Sequence, residues 1–273
     1  MLANNKYNFG RYLVILVITS LLFPATNWAQ QELILPHEAY MMGLVKKFDL
    51  KVGGSFLSYK GSKWLSASAK RIRQYSGQIA FSPWKRIGII GSFSGRSGRY
   101  VDRPATWSLQ HAELAVGTYH EFRKRFPSNF TLRTNLYVGH GRGSSSNILN
   151  TAEEIDLKYS RNFIHSGWQL WWKKYISLGY ALRFVNLNLK DTTIIGPLSN
   201  GKYFFLNRFL CSNPKNFLVS KFHLQGGPEQ AKIFLSATRT MATLGGDYHI
   251  AYSKMIYKVG LILNIGSFYG QNL

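Results

Sequence analysis

His111 and Glu113 are the two residues of this 273-residue chain whose types and spacing could move a proton. They lie two apart in a segment that reads as a strand, and strand side chains at i and i+2 share a face. A histidine held by a carboxylate is half of the arrangement in which an acid orients an imidazole and the imidazole deprotonates a serine. Serines are plentiful here, so their presence selects nothing. Asp and Glu total only 12, and few lie near a histidine. The other histidines, His37, His120, His140, His165, His223 and His249, show no metal-ligand spacing. Cys211 is the single cysteine, which excludes an intramolecular disulfide. No third group is placed beside His111. Glu113 therefore reads first as an ion-pair partner for Arg133 or Arg183, and the expected catalytic residues, metal ligands and cofactors are none.

The same alternation sorts other charges. Lys51, Arg133, Arg183, Lys221 and Lys258 fall on the face opposite the apolar one, with Glu113 as their counter-charge. Buried charges need partners, so five bases facing one acid imply water or a bound anion between them. The whole chain is strongly basic, at +22. That balance would suit a nucleic-acid binder if the bases formed one stripe. They are scattered instead, and aromatic residues, 15% of the chain, stand beside the strand ends. A basic rim facing anionic lipid headgroups and lipopolysaccharide phosphates is the expected role of the charge. No nucleic-acid partner is expected.

The elements that carry these residues alternate with period two. Tyr75, Gly77, Ile79 and Phe81 alternate with Ser76, Gln78, Ala80 and Ser82; Leu178, Tyr180, Leu182 and Phe184 alternate with Ser177, Gly179, Ala181 and Arg183. Ten strands are predicted, at 48–58, 75–82, 86–95, 109–119, 129–140, 162–172, 175–188, 216–225, 231–240 and 256–266. The count falls to eight if two weak strands are loops, and rises to twelve if Tyr203–Leu210 pairs. Pro83-Trp84, Lys173-Lys174 and Gly226–Gln230 read as tight turns, while 60–73, 96–107, 142–160, 190–214 and 241–254 read as long connections. The Gly/Ser-rich runs 91–98 and 141–147 read as strand tops entering mobile loops. Neither precedes a helix, as a phosphate-cradling loop would. Short and long links thus alternate along the chain. Outer-membrane barrels do this, with short periplasmic turns, longer outer loops and strands apolar on the lipid side. The predicted fold is an all-β, up-and-down antiparallel transmembrane barrel, with both ends periplasmic.

The chain ends frame that barrel. Lys6 and Arg11 precede an apolar core from Leu13 to Phe23, and Pro24 leads to a small-residue site ending at Ala29, so residues 1–29 read as a signal peptide. Removing it leaves +20. Residues 30–47 are assigned to a periplasmic segment, 48–266 to the barrel and 267–273 to a short extension. Lys258, Gly260, Leu263 and Ile265 in the last strand resemble the C-terminal insertion signal of bacterial outer-membrane barrels, which the barrel-assembly machinery would read. Stretches within residues 35–266, including Tyr75–Ser94, Leu132–Gly143, Phe163–Asn188 and Phe217–Ser236, resemble the uncharacterised outer-membrane β-barrel proteins of the Bacteroidetes. That resemblance implies a Gram-negative outer-membrane protein and transfers no catalytic residue. The expected function is structural or surface-interacting. A narrow anion-preferring pore is the alternative the inward bases suggest. A membrane-embedded lipid- or lipopolysaccharide-modifying hydrolase is the alternative that His111 and Glu113 suggest.

Overall fold

A computed structural model describes residues 44, 46–59, 69–100, 106–122, 129–150, 153–195, 215–244 and 255–265. The signal-peptide assignment, the 267–273 extension, Cys211 and Tyr203–Leu210 lie outside them. The described residues form ten strands and no helix: β1 (Leu50–Tyr59), β2 (Ala69–Trp84), β3 (Ile87–Tyr100), β4 (Thr106–Phe122), β5 (Phe130–Asn150), β6 (Glu153–Trp172), β7 (Ile176–Ile195), β8 (Lys215–Gly226), β9 (Ala231–Leu244) and β10 (Met255–Asn264). Each pairs antiparallel with its chain neighbours, and β1 closes on β10, so the sheet is a barrel without an edge.

The tight turns cluster at one rim, here the lower. Strand β2 runs on through Trp84, and the turn is Lys85-Arg86 rather than Pro83-Trp84. Arg86 takes a positive φ of 71°, which lets two residues reverse the chain. Ser82 ties the corner down by donating one hydrogen bond, with Trp84 O at 2.8 Å and Ile87 O at 2.9 Å as alternative acceptors, beside the Tyr119 hydroxyl at 2.7 Å. Leu44, assigned from sequence to a periplasmic segment, is buried in this mouth against Ala80, Ile90, Tyr119 and Tyr137.

The upper rim departs from expectation. Predicted loop 142–160 is a tall hairpin of β5 and β6, leaving only 151–152 between the strands, and β7 continues to Ile195. Ser145 is thus a buried strand residue. Segments 91–98 and 141–147 are strand throughout. The reason is spatial. Gly139, Gly141 and Gly143 present the inner face of β5, directly opposite Phe163, Arg161 and Tyr159 of β6. A Cβ on Gly139 would meet the Phe163 ring, and one on Gly143 the Tyr159 ring. Glycine here vacates room for a large neighbour, a known use of strand glycines.

At twenty residues or more, β5, β6 and β7 far exceed the roughly 9–11 residues that cross a bilayer. Their outer faces divide by height. Leu136, Val138, Ile164, Leu178, Leu182 and Phe184 stand exposed in the lower half, and Phe81, Ile89, Val116, Leu235, Val259, Leu261 and Leu263 continue the apolar band around the barrel. Immediately above, at the level paired as His140, Asn162 and Asn186, the surface turns polar. His140 Nδ1 lies 2.7 Å from Asn162 Oδ1, and Asn186 Nδ2 donates to Asn216 Oδ1 at 2.8 Å. This edge yields a test. Leu182→Arg should cost about 2–4 kcal/mol of refolding free energy in phospholipid vesicles, whereas Asn188→Arg, above the edge, should cost close to nothing. Equal costs in a urea titration would show that the apolar band is not lipid-facing.

Candidate functional site

The inner face is where chemistry-bearing residues converge. At mid-height Glu113 is fully enclosed and receives charge from three sides. Its Oε1 lies 2.6 Å from Arg161 Nη2 and 3.0 Å from His111 Nε2, and Arg183 Nη1 reaches Oε2 at 2.9 Å. Arg161 stands on β6 and Glu113 on β4, with Gly141 of β5 between them at the same level. A Cβ on Gly141 would come within 2.7 Å of His111 Nε2 and 2.8 Å of Glu113 Cγ. The missing side chain lets the guanidinium cross one strand to its carboxylate. Arg183 stacks over the Phe163 ring at 4.1 Å, so this arginine is held by its plane as well as its charge.

This geometry resolves one expectation and corrects another. Glu113 pairs with Arg183 and with Arg161, not with Arg133. Arg133 donates instead to Glu121 Oε2 at 2.8 Å and lies 4.5 Å over the Trp171 ring, nearer the lower rim. Lys51 sits 3.5 Å from Asp49 at the mouth. Lys221 and Lys258 are buried as well. Glu113 is therefore not the sole inward acid: Asp49 and Glu121 share the work. Gly260 lies on the seam with β1, where a Cβ would strike Gly54 O and the Phe234 ring; Leu263 is exposed in the apolar band, and Ile265 follows β10 as a turn residue donating to Leu50 O.

Arg161 was missed because the predicted strand began at residue 162. Extending the period by one step from Phe163 places Arg161 and Tyr159 on its face, so the signal existed. Asp49 lies inside the predicted strand 48–58, two residues from Lys51 and on its face, so the alternation carried this acid too. Lys232, which donates to the carbonyls of Lys174 at 2.6 Å and Gly227 at 2.9 Å, falls within the predicted strand 231–240 but was not among the inward bases expected.

The interior is less polar than its alternation suggests. Ile155, Leu157, Tyr159, Phe163, Val185, Leu187, Phe217 and Val219 form one buried apolar cluster inside the barrel, lining β6, β7 and β8. Higher still, buried Arg96 lies 5.5 Å over the Trp107 ring.

Could the His111–Glu113 pair do proton chemistry? The carboxylate only accepts, so His111 Nε2 is the donor and carries the proton. Nδ1 is the nitrogen left to act as a base, and among the described residues no serine hydroxyl reaches it. The His111 ring instead stacks on Tyr159, with centroids 5.8 Å apart and planes 5° from parallel. Both guanidiniums share the carboxylate that accepts from His111, so the acid balances charge as well as holding the ring. Among the described residues no group of His, Cys, Asp and Glu could hold a metal ion.

No family model matches the chain, and no curated protein matches its sequence. Among solved structures it is similar to the translocator domain of the autotransporter NalP from Neisseria meningitidis, with 11% identity and a TM-score of 0.44 over 78% of this chain and 86% of that one. It is also similar to the outer membrane protease OmpT from Escherichia coli, with 10% identity and a TM-score of 0.38 over 81% and 94%. The Acinetobacter baumannii outer membrane protein Omp33 matches at 10% identity and a TM-score of 0.27, over 80% and 99%. These values are too low to carry an activity across.

The charge cluster makes its own prediction. Glu113→Gln leaves two buried guanidiniums without their carboxylate and should cost about 3–5 kcal/mol. Glu121→Gln, which releases only the partly exposed Arg133, should cost about 1–2 kcal/mol. Replacing Glu113 with Leu and both arginines with Met together should recover most of the loss. Denaturant unfolding of the four proteins would decide it, and equal losses for the two single variants would mean the cluster holds nothing.

Proposed function

We propose that the protein is a closed outer-membrane barrel with a structural or surface-interaction role, rather than a conduit. The observation that carries this reading is the filled interior. Glu113, Arg161 and Arg183 are locked together at mid-height with side chains at most 1% exposed, an apolar cluster occupies the wall of β6 to β8, and Leu44 enters the lower mouth. A conducting pore needs a continuous wet path and sites that release their ion. Three of the five inward bases that suggested an anion pore are held by acids: Arg183 on Glu113, Arg133 on Glu121 and Lys51 on Asp49.

The location rests on the apolar band and on closure of the sheet, because a sheet in lipid must leave no backbone group unpaired. In this reading the lower rim and both ends of the barrel are periplasmic. The tall β5–β6–β7 wall stands outside the cell, and origin in the Bacteroidetes and insertion by the barrel-assembly machinery belong to the same proposal. A wall of paired strands rising above the membrane is a rigid platform, suited to presenting a surface.

Two measurements test this. On fractionation of a Gram-negative host, the chain should remain in the detergent-resistant outer membrane and run heat-modifiably on a gel; recovery in the soluble periplasm would sink it. In planar bilayers the purified barrel should show no steady current, whereas stable stepwise conductance with anion preference would restore the pore. A tag inserted at 151–152 should be accessible on intact cells and one at Pro228 should not.

A further inference from the structure

The outer wall of the barrel carries a groove that the closed interior leaves without a role. Its volume is about 780 Å³. Two consecutive pairing levels build it. On the first, Phe93, Ala112, Arg142 and Ser160 stand side by side across β3 to β6. On the second, Tyr75, Gly95, Gln110, Ser144 and Lys158 do so across β2 to β6. Neighbouring strands are about 4.7–4.9 Å apart, so Phe93 and Arg142 face each other across roughly 10 Å with only the Ala112 methyl between.

The two banks differ in chemistry. One is aromatic: Phe93 is exposed, and the Tyr75 ring lies over Gly95. The other is basic, with Arg142 and Lys158 exposed on β5 and β6. Lys190 joins them through an irregularity in the sheet. Lys158 pairs with Asp191 but Tyr159 pairs with Leu189, so Lys190 is the extra residue of a bulge and lies exposed at the groove. Bulges re-aim side chains in this way. Asp191, 3.4 Å from Lys158 Nζ, is the acid in contact with this bank.

The groove's height matters as much as its charge. It begins just above exposed Leu114, which shares its pairing level with His140 and Asn162, and one step further down stand exposed Val116, Val138, Ile164 and Phe184. Its lower end thus opens onto the apolar band and its upper end onto three bases. A slot graded from apolar to cationic along the strands, which cross the membrane at a tilt, is complementary to an amphiphile with a hydrocarbon tail and an anionic head.

We propose that this groove holds one phosphate-bearing lipid of the outer leaflet. Its acyl chain lies along Phe93 and Leu114, and its phosphate is bound by Arg142, Lys158 and Lys190. The guanidinium supplies paired donors to phosphate oxygens, and the ammonium groups supply charge. The proposal rests on the outer-membrane reading, which gives the groove its contact with lipid.

The test uses the full barrel in dodecyl maltoside, titrated with diphosphorylated lipid A and followed by native mass spectrometry. One tightly bound copy is expected. Removing Arg142 and Lys158 together (R142S/K158S) should weaken it about thirtyfold, roughly fivefold for each base. K173S/K174S, which removes two charges at the opposite rim, should leave binding unchanged; an equal loss would reduce the site to net charge and overturn it. Dephosphorylated lipid A should bind as weakly as the R142S/K158S barrel, and binding at full strength would also overturn the proposal. Inorganic phosphate at the same concentration should not displace the lipid, because full displacement would identify a free-anion site. Heat-modifiable mobility shows that each variant is still a barrel. If R142S/K158S loses it, K190S alone carries the test, with a fivefold weakening expected and unchanged binding overturning the site. A barrel that binds the lipid yet fractionates outside the outer membrane would sink the location and leave the site standing.

Discussion

The seam between β1 and β10 is the constraint on which the rest of the molecule depends. Five pairs, from Lys51 with Asn264 to Ser55 with Gly260, turn an open sheet into a cylinder. A nine-pair ladder from β10 to β9 and a ten-pair ladder from β1 to β2 flank it, so the closure is the shortest ladder of the three. It succeeds because the backbones come close. Gly54 and Gly260 both lie on it, and a Cβ on Gly260 would collide with Gly54 O. Without closure, two rows of backbone donors and acceptors would face a solvent that cannot hydrogen-bond them, at several kcal/mol for each unpaired group.

Closure creates an inside, and the inside sets its own terms. Half of every strand's side chains now point into a space too narrow to stay wholly wet, and several of them are charged. The protein answers in layers. Asp49 meets Lys51 at the mouth, Glu121 meets Arg133 above it, and Glu113 takes two arginines and a histidine at mid-height. Apolar side chains fill the wall of β6 to β8 between and above these pairs. A buried ion cluster of this kind adds little net stability over an apolar filling. What it does is specify which strands sit opposite one another, since Arg161 and Arg183 reach one carboxylate only if β4, β6 and β7 keep their registers.

The outside is governed by height rather than by face. Below the His140–Asn162 level the wall must satisfy hydrocarbon; above it β4 to β7 continue, paired with one another, and polar and basic side chains stand beside exposed Phe93. A continuous sheet lets groups about fifty residues apart in sequence share a pairing level. That is how Phe93 and Arg142, on strands two apart, come to bank one groove.

Period two along β2, β4, β7 and β10 determined the faces by itself, because alternation is a property of single strands in contact with two different media; with the alternation of short and long links it pointed to the fold class and favoured ten strands, while eight and twelve stayed open. The positions of Leu182, Leu261 and Arg183 could be read that way. Strand ends could not. Gly139, Gly141 and Gly143 look like a flexible run until Phe163, Arg161 and Tyr159 are seen filling the space they leave, and those neighbours lie about twenty residues away. Ion-pair partners were equally out of reach of the sequence, since Glu113 had several inward bases to choose from, and only the register and the gap at Gly141 direct Arg161 and Arg183 to it. The groove beside Arg142 likewise depends on a bulge at Lys190 and on Ala112 standing between two larger neighbours. A side chain's face is fixed by its own strand, but its partner is fixed by the pairing of others, and that pairing exists only once the barrel is closed.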